Sequence, residues 1–190
     1  MKRMVSVILI MCLLLVGLTP AKVDAKSKNK KAYTAYAKAV NNDANDFYSS
    51  EVSWYVDDVN GDKVKDLIVF DWELFRVYTY KNGKAVVLAE KYPDRSIYYH
   101  KKDKVFWETG EGDGGWANKF KVTKKGIKNI VSYNAHMYSA PQYWKEKNGK
   151  KTKISSSKYR SVWKNAVKKS VKFNSSSFGL LEEKLEKMGK

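Results

Sequence analysis

An α+β fold is predicted for residues 26–190 by three observations: a helical apolar period at both ends, short β-branched and aromatic runs between them, and tight-turn signals joining those runs. The expected architecture is an N-terminal helix, a curled antiparallel sheet of about eight strands in a meander, and C-terminal helices packed on the sheet. The first helix is read over Lys31–Asn41, where Tyr33, Tyr36, Ala37 and Val40 recur at i, i+3, i+4, i+7. Strands follow at Val52–Val59, Val64–Phe70, Phe75–Tyr80, Ala85–Leu88, Ile97–His100, Val105–Glu108, Lys119–Val122 and Ile127–Tyr133. Asn82-Gly83 is a strong two-residue hairpin signal, because both turn positions need φ > 0, and Lys125-Gly126 and Asn148-Gly149 are weaker versions. Strands joined this tightly run antiparallel, which disfavours parallel-sheet nucleotide folds. From Tyr159 the period becomes helical again through Val162, Trp163, Ala166, Val167 and Val171, behind three serines that can cap the helix. Residues 174–190 read as a last helix, with Phe178, Leu181, Leu185 and Met188 on one side.

The first 25 residues read as a segment for export. Lys2 and Arg3 precede an almost uninterrupted apolar run from Val5 to Leu18, and Val23-Asp24-Ala25 supplies small residues in the A-x-A style. The run is shorter than the ~20 residues of a spanning helix, so cleavage is expected, after Ala25 or alternatively Ala21. The remaining single domain would span 26–190, with 26–30 disordered. The one cysteine, Cys12, lies in the export segment, which excludes a disulfide framework and a thiolate zinc site.

Charge is unevenly spread. The chain has 37 Lys+Arg against 20 Asp+Glu, a formal +17. Residues 51–120 hold 13 acidic and 11 basic side chains, whereas 145–190 hold 4 acidic and 14 basic. Such asymmetry speaks to partners rather than fold. An exported cationic protein is expected to gather at anionic cell-wall polymers or a membrane surface. Nucleic acid is not expected as a partner, since no aromatic–basic RNA motif is present. A monomer is expected. The basic side chains Lys158, Arg160, Lys164, Lys168, Lys169 and Lys172 fall away from the apolar face of the Lys158–Lys172 helix and are the candidate envelope-binding residues. A domain helix with solvated lysines accounts for the same pattern.

One motif carries chemistry. Asp58-Val-Asn60-Gly-Asp62-Lys-Val-Lys-Asp66 places oxygen side chains at relative positions 1, 3, 5 and 9, and Val64 at position 7 can add its backbone carbonyl. Together these approach the oxygen shell of Ca²⁺, and three close carboxylates repel one another unless a cation lies between them. The stretch Tyr55–Val69 resembles the D-x-D-G-D-G-x-x-D/E-L-I loop of FG-GAP-like repeats in integrin-type proteins. It is also similar to small secreted proteins of Gram-positive bacteria, in which a Tyr-bearing helix precedes the loop and a Y-x-Y-x-x-G-K hairpin follows. Here those would be Ala32–Tyr36 and Tyr78–Lys84, with Asn148–Ile154 as a later match. The resemblance implies Ca²⁺ binding by Asp58, Asn60, Asp62 and Asp66. Lys63 stands where such loops usually have Gly, and Val69 where an EF-hand has its bidentate Glu, so this is not an EF-hand and binding in the ~10⁻⁴–10⁻³ M range is expected. A plain Asn60-Gly61 turn with solvated acids is the competing reading.

The expected function is therefore that of a secreted, non-enzymatic protein with a calcium loop and a cationic face. The alternative is a secreted glycan hydrolase, because Glu108, Glu111 and Asp113 sit in a Gly-rich loop with Trp116 as a sugar platform. His100 and His136 lack a nucleophile or ligand pattern and read as sheet or loop residues.

Overall fold

The computed structural model describes residues 25–93, 96–110, 114–137 and 140–190. The predicted export segment through Asp24, with the Ala21 cut, lies outside the described residues, as do Glu111 and Asp113. The fold is α+β, but its strands form two open antiparallel sheets rather than one of eight strands.

Helix α1 spans Ala25–Asn42 and buries Ala32, Tyr36, Ala37 and Val40. Residues 26–30, expected to be disordered, are its first turns. They are held by partners remote in sequence: Asn29 Oδ1 accepts from the Lys65 N–H at 2.8 Å, and Lys30 Nζ donates to the Lys190 carbonyl. A short 3-10 turn at Ala44–Asp46 leads into the first sheet. Its strands β1 (Glu51–Asp57), β2 (Asp66–Phe70), β3 (Phe75–Lys81) and β4 (Lys84–Lys91) form a meander, with β11 (Asn174–Ser177) added outside β1. The second sheet continues the meander through β5 (Ser96–His100), β6 (Val105–Gly110), β7 (Trp116–Thr123), β8 (Gly126–His136), β9 (Gln142–Lys147) and β10 (Lys150–Ile154). Helix α2 (Ser156–Lys168) and, after β11, helix α3 (Phe178–Gly189) complete the chain.

The split follows from the strands themselves. In β2 and β3, Leu67, Ile68, Val69, Phe75, Val77 and Tyr78 are all buried, so both faces of the first sheet need cover. On one face α1 and α3 supply it, as Tyr36, Val40, Leu181 and Leu185 pack against Trp54, Leu67 and Val69. On the other the second sheet does: Ile68, Phe75 and Val77 meet Tyr99, Phe106 and Phe120. Helix α2 covers the far face of the second sheet, where Tyr159, Val162 and Ala166 meet Trp107, Ala117 and Tyr133. The order is thus helix, sheet, sheet, helix. Between the sheets Phe106 and Phe120 stack at 5.3 Å with Phe75 edge-on to both.

Three readings of the C-terminal half need correction. The last helix does not start at 174: Asn174–Ser177 extend along β1, where Ser176 Oγ accepts from Trp54 Nε1 at 3.0 Å, before α3 begins. The basic helix ends at Lys168, which leaves Lys169 as its C-cap and Lys172 beyond it, and Val167 is 47% exposed while Ala166 takes the core position. Asn148-Gly149 is a full hairpin turn, with φ of 52° and 74° matching the 52° and 83° at Asn82-Gly83. Its strands β9 and β10 escape the sequence reading because they are mostly exposed and lysine-rich, without apolar alternation. Among the described residues no helix is long and apolar enough to cross a membrane.

Candidate functional site

The Asp58–Lys65 segment joins β1 to β2, and its side chains turn back onto its own backbone. Asp58 Oδ1 accepts the N–H groups of Gly61 and Asp62 at 2.7 and 3.1 Å. Asn60 Oδ1 accepts that of Asp62 at 2.9 Å, and Asp62 Oδ1 that of Val64 at 2.8 Å. Each is the local side-chain-to-backbone bond for which Asp and Asn are favoured in turns. Gly61 sits at φ 82°, and Lys63 adopts φ 72°, left-handed backbone that a Gly would occupy with less strain.

Asp66 closes the loop from below. It is fully buried at the start of β2. Its Oδ2 accepts from the Val59 N–H at 2.9 Å and from the Asn60 N–H at 3.3 Å, and its Oδ1 accepts from Asn60 Nδ2 at 3.1 Å. Asn60 Nδ2 also donates to Thr79 Oγ1, which fastens the loop to β3. Burial pushes the Asp66 carboxyl up to about 7; the charge of Asp62 pushes the same way, against the hydrogen bonds it accepts. Its neighbours differ. Burial would raise Asp57 and Asp58 too, but Lys65 Nζ at 2.9 Å and Tyr99 Oη at 3.1 Å hold Asp57 below its ordinary range. Lys104 Nζ at 3.0 Å and the Gly61 N–H do the same for Asp58.

Of the predicted ligand set, Asn60 and Asp66 are in direct contact, and Asp62 donates its backbone N–H to Asn60 and acts on Asp66 through its charge. Asp58 faces Lys104, and the Val64 side chain is buried in the core. Among the described residues no three carboxylate, imidazole or thiolate groups are grouped to hold an ion. Lys104 was not foreseen: it lies 46 residues from Asp58, on the β5–β6 turn, with no sequence signal tying it to the loop.

Two clefts flank the Asn60-Gly61 turn. One, of about 570 Å³, is lined by Asn60, Asp62 and Thr79 together with Lys81, Lys124 and Lys125. The other, of about 350 Å³, is lined by Gly61, Asp103, Lys102, Lys104 and Lys121. The six predicted envelope-binding side chains, Lys158, Arg160, Lys164, Lys168, Lys169 and Lys172, are all exposed, with Tyr159 and Val162 turned inward beneath them.

The acidic-loop residues are placed differently from expectation. Glu108 is not a loop residue. It lies on β6, 1% exposed, ion-paired with Lys91 of β4 and 3.4 Å from Asn118 Nδ2. Trp116 opens β7 opposite Gly110, its indole so close that a Cβ on Gly110 would lie 2.4 Å from it. His100 is a buried sheet residue whose Nε2 contacts the Ala166 carbonyl, and His136 ends β8.

A second carboxylate with a specific role was missed altogether. Asp71, 8% exposed, accepts four backbone N–H groups: Tyr48 and Ser49 at 2.8 and 3.0 Å on Oδ2, Glu73 and Leu74 at 2.8 and 2.7 Å on Oδ1. The available signal was an Asp at the first position of the turn between β2 and β3, a common turn opener. No protein-family model, curated protein or solved structure matches this chain.

Proposed function

We propose that this is an exported, non-enzymatic protein that associates with anionic polymers of the cell envelope through its outward lysines, and that the 58–66 loop takes Ca²⁺ weakly as a stabilising ion. The observation that carries the reading is the excess of outward basic side chains over outward acids beside the loop. Asp66, Asp71 and Glu108 are buried, and Asp57, Asp58, Asp43, Asp46 and Glu90 are held in ion pairs. Lys81, Lys102, Lys121, Lys124 and Lys125 line the two clefts beside the loop, where they outnumber the acids Asp62 and Asp103. A surface of that kind concentrates polyanions and weakens as salt shortens its reach, to about 10 Å at 0.1 M.

The calcium part rests on Asp66. A carboxylate enclosed this fully is costly to ionise without a cation, and Asp62 adds to that cost. Binding would require Asp58 to exchange Lys104 for the ion, which fits weak affinity.

Two measurements test the reading. Retention of the chain lacking residues 1–25 on immobilised poly(glycerol phosphate) should fall steeply as NaCl rises, and retention indifferent to salt refutes the lysine mechanism. Thermal unfolding in millimolar Ca²⁺ should show a raised midpoint, which Asp66→Asn abolishes; an unmoved midpoint removes calcium from the proposal and leaves the charge part standing.

A further inference from the structure

We infer that the groove at the seam of the two sheets, beside Trp72, is a binding site for a neutral glycan chain. It is remote from the loop and does not rest on the calcium or lysine readings. The groove is open to solvent and has a volume of about 450 Å³. Strand β1 contributes Ser53, the β2–β3 turn Trp72, and the edge strand of the second sheet Ser96 and Tyr98, with Ser49 and Ser175 at the margins.

Two features point to a ligand. Trp72 is 53% exposed and the adjoining Tyr48 69%, with their rings edge-to-face at 4.5 Å. Two large aromatics thus stand side by side in water, and Trp and Tyr are the side chains enriched where proteins meet partners. They are also held in place beforehand. Asp71 lies buried directly behind them and ties the Tyr48-Ser49 backbone to the 71–74 turn through its four N–H acceptances. A turn that rigid presents Trp72 with little ordering left to be done on binding.

The lining chemistry selects the class. A pyranose has an apolar C–H face that stacks on an indole and a rim of hydroxyls that exchange hydrogen bonds with other hydroxyls. The groove offers that combination: one exposed indole, four serines and one tyrosine. In a chain with 37 Lys+Arg, no lysine or arginine lines it among the described residues, and its charged lining groups are Glu51 and Asp71. Asp71 is taken up by its four backbone N–H groups, so the described lining offers a ligand chiefly hydroxyls and an indole, which suits an uncharged sugar.

The test is titration of the chain lacking residues 1–25 with a panel of soluble neutral oligosaccharides, derived from chitin, cellulose, xylan and mannan, followed by amide chemical shifts. At least one should bind, with the largest shifts at Ser49, Ser53, Trp72, Ser96 and Tyr98, and with affinity unchanged by added salt. Trp72→Ala should weaken it by roughly tenfold or more, the scale for truncating an aromatic anchor. Trp72→Phe should retain part of it, and Trp144→Ala, on the second sheet, should leave it intact. Trp72 is half in water, so its truncation leaves the fold standing, and an unchanged unfolding midpoint verifies that. Binding by none of the panel, shifts centred elsewhere, loss of binding in salt, or saturation of the groove by an extended peptide but no sugar each overturns the assignment.

Discussion

At the scale of single residues, Asp66 and its neighbours set opposite pH dependences within one loop. An unfolded aspartate titrates near 3.9, whereas folded Asp66 sits at about 7. Between those values the folded state holds a proton that the unfolded state has released. Stability from this group therefore falls as pH rises through that window, by at most about 1.4 kcal/mol per pH unit. Asp57 and Asp58 are depressed by their lysines, so their contribution is present above the unfolded value and is lost as pH falls through the folded one. In divalent-free buffer, Asp66→Asn should gain on the wild type steadily as pH is raised from about 4 to about 7. Thermal midpoints of both proteins at several pH values measure it; a constant difference across the window contradicts the burial argument.

Among elements, the tie between α1 and the first sheet depends on Arg76 of β3. Its guanidinium, with the side chain 8% exposed, reaches Asp43 and Asp46 after α1 at 3.1 and 2.8 Å and Glu90 of β4 at 2.5 Å, while Tyr78 Oη donates to Asp43. Arg76→Met keeps most of the apolar volume and strips three carboxylates of their partner. Breaking a buried pair costs about 3–5 kcal/mol. These acids are partly in water and can be resolvated, so a loss of about 2–3 kcal/mol is expected by chemical denaturation. A loss below about 1 kcal/mol would mean the cluster behaves as an ordinary surface network.

The same elements show how far the sequence could be read. All eight predicted strands exist, because β-branched runs between Gly-bearing turns leave few alternatives. The break between β4 and β5 was not visible, since nothing in local periodicity says that β2 and β3 are covered on both sides. β9, β10 and β11 were missed because their pairing is decided by a turn and by the open edge of β1, not by apolar alternation. Within the loop, the spacing of Asp58, Asn60, Asp62 and Asp66 foretold an inward turn of oxygens, but not that N–H groups and Lys104 would take them. Asp71 carries no more local signal than any turn aspartate; only the Tyr48 segment brought 23 residues along the chain to it reveals its role.

For the molecule as a whole, four layers share three cores, and the chain's last segment closes the first of them. After α2 the backbone passes β5, where the Val171 N–H donates to the Tyr99 carbonyl, and Phe173 packs on Phe70 before β11 joins β1. Helix α3 then buries Leu181 and Leu185 completely against α1 and the first sheet. Deleting residues 174–190 would remove both leucines and uncover their partners in that core, among them Val52, Trp54, Ala32 and Tyr36. At about 1.5–3 kcal/mol per large apolar side chain, the loss rivals the whole 5–15 kcal/mol stability of an ordinary domain. The second sheet cannot stand apart, because Tyr99, Phe106 and Phe120 need Ile68, Phe75 and Val77 across the seam. The truncated chain should therefore lose its near-ultraviolet circular dichroism throughout and unfold without a cooperative transition. A truncated protein that still melts cooperatively within a few degrees of the full chain would show that the middle core and α2 hold the fold by themselves.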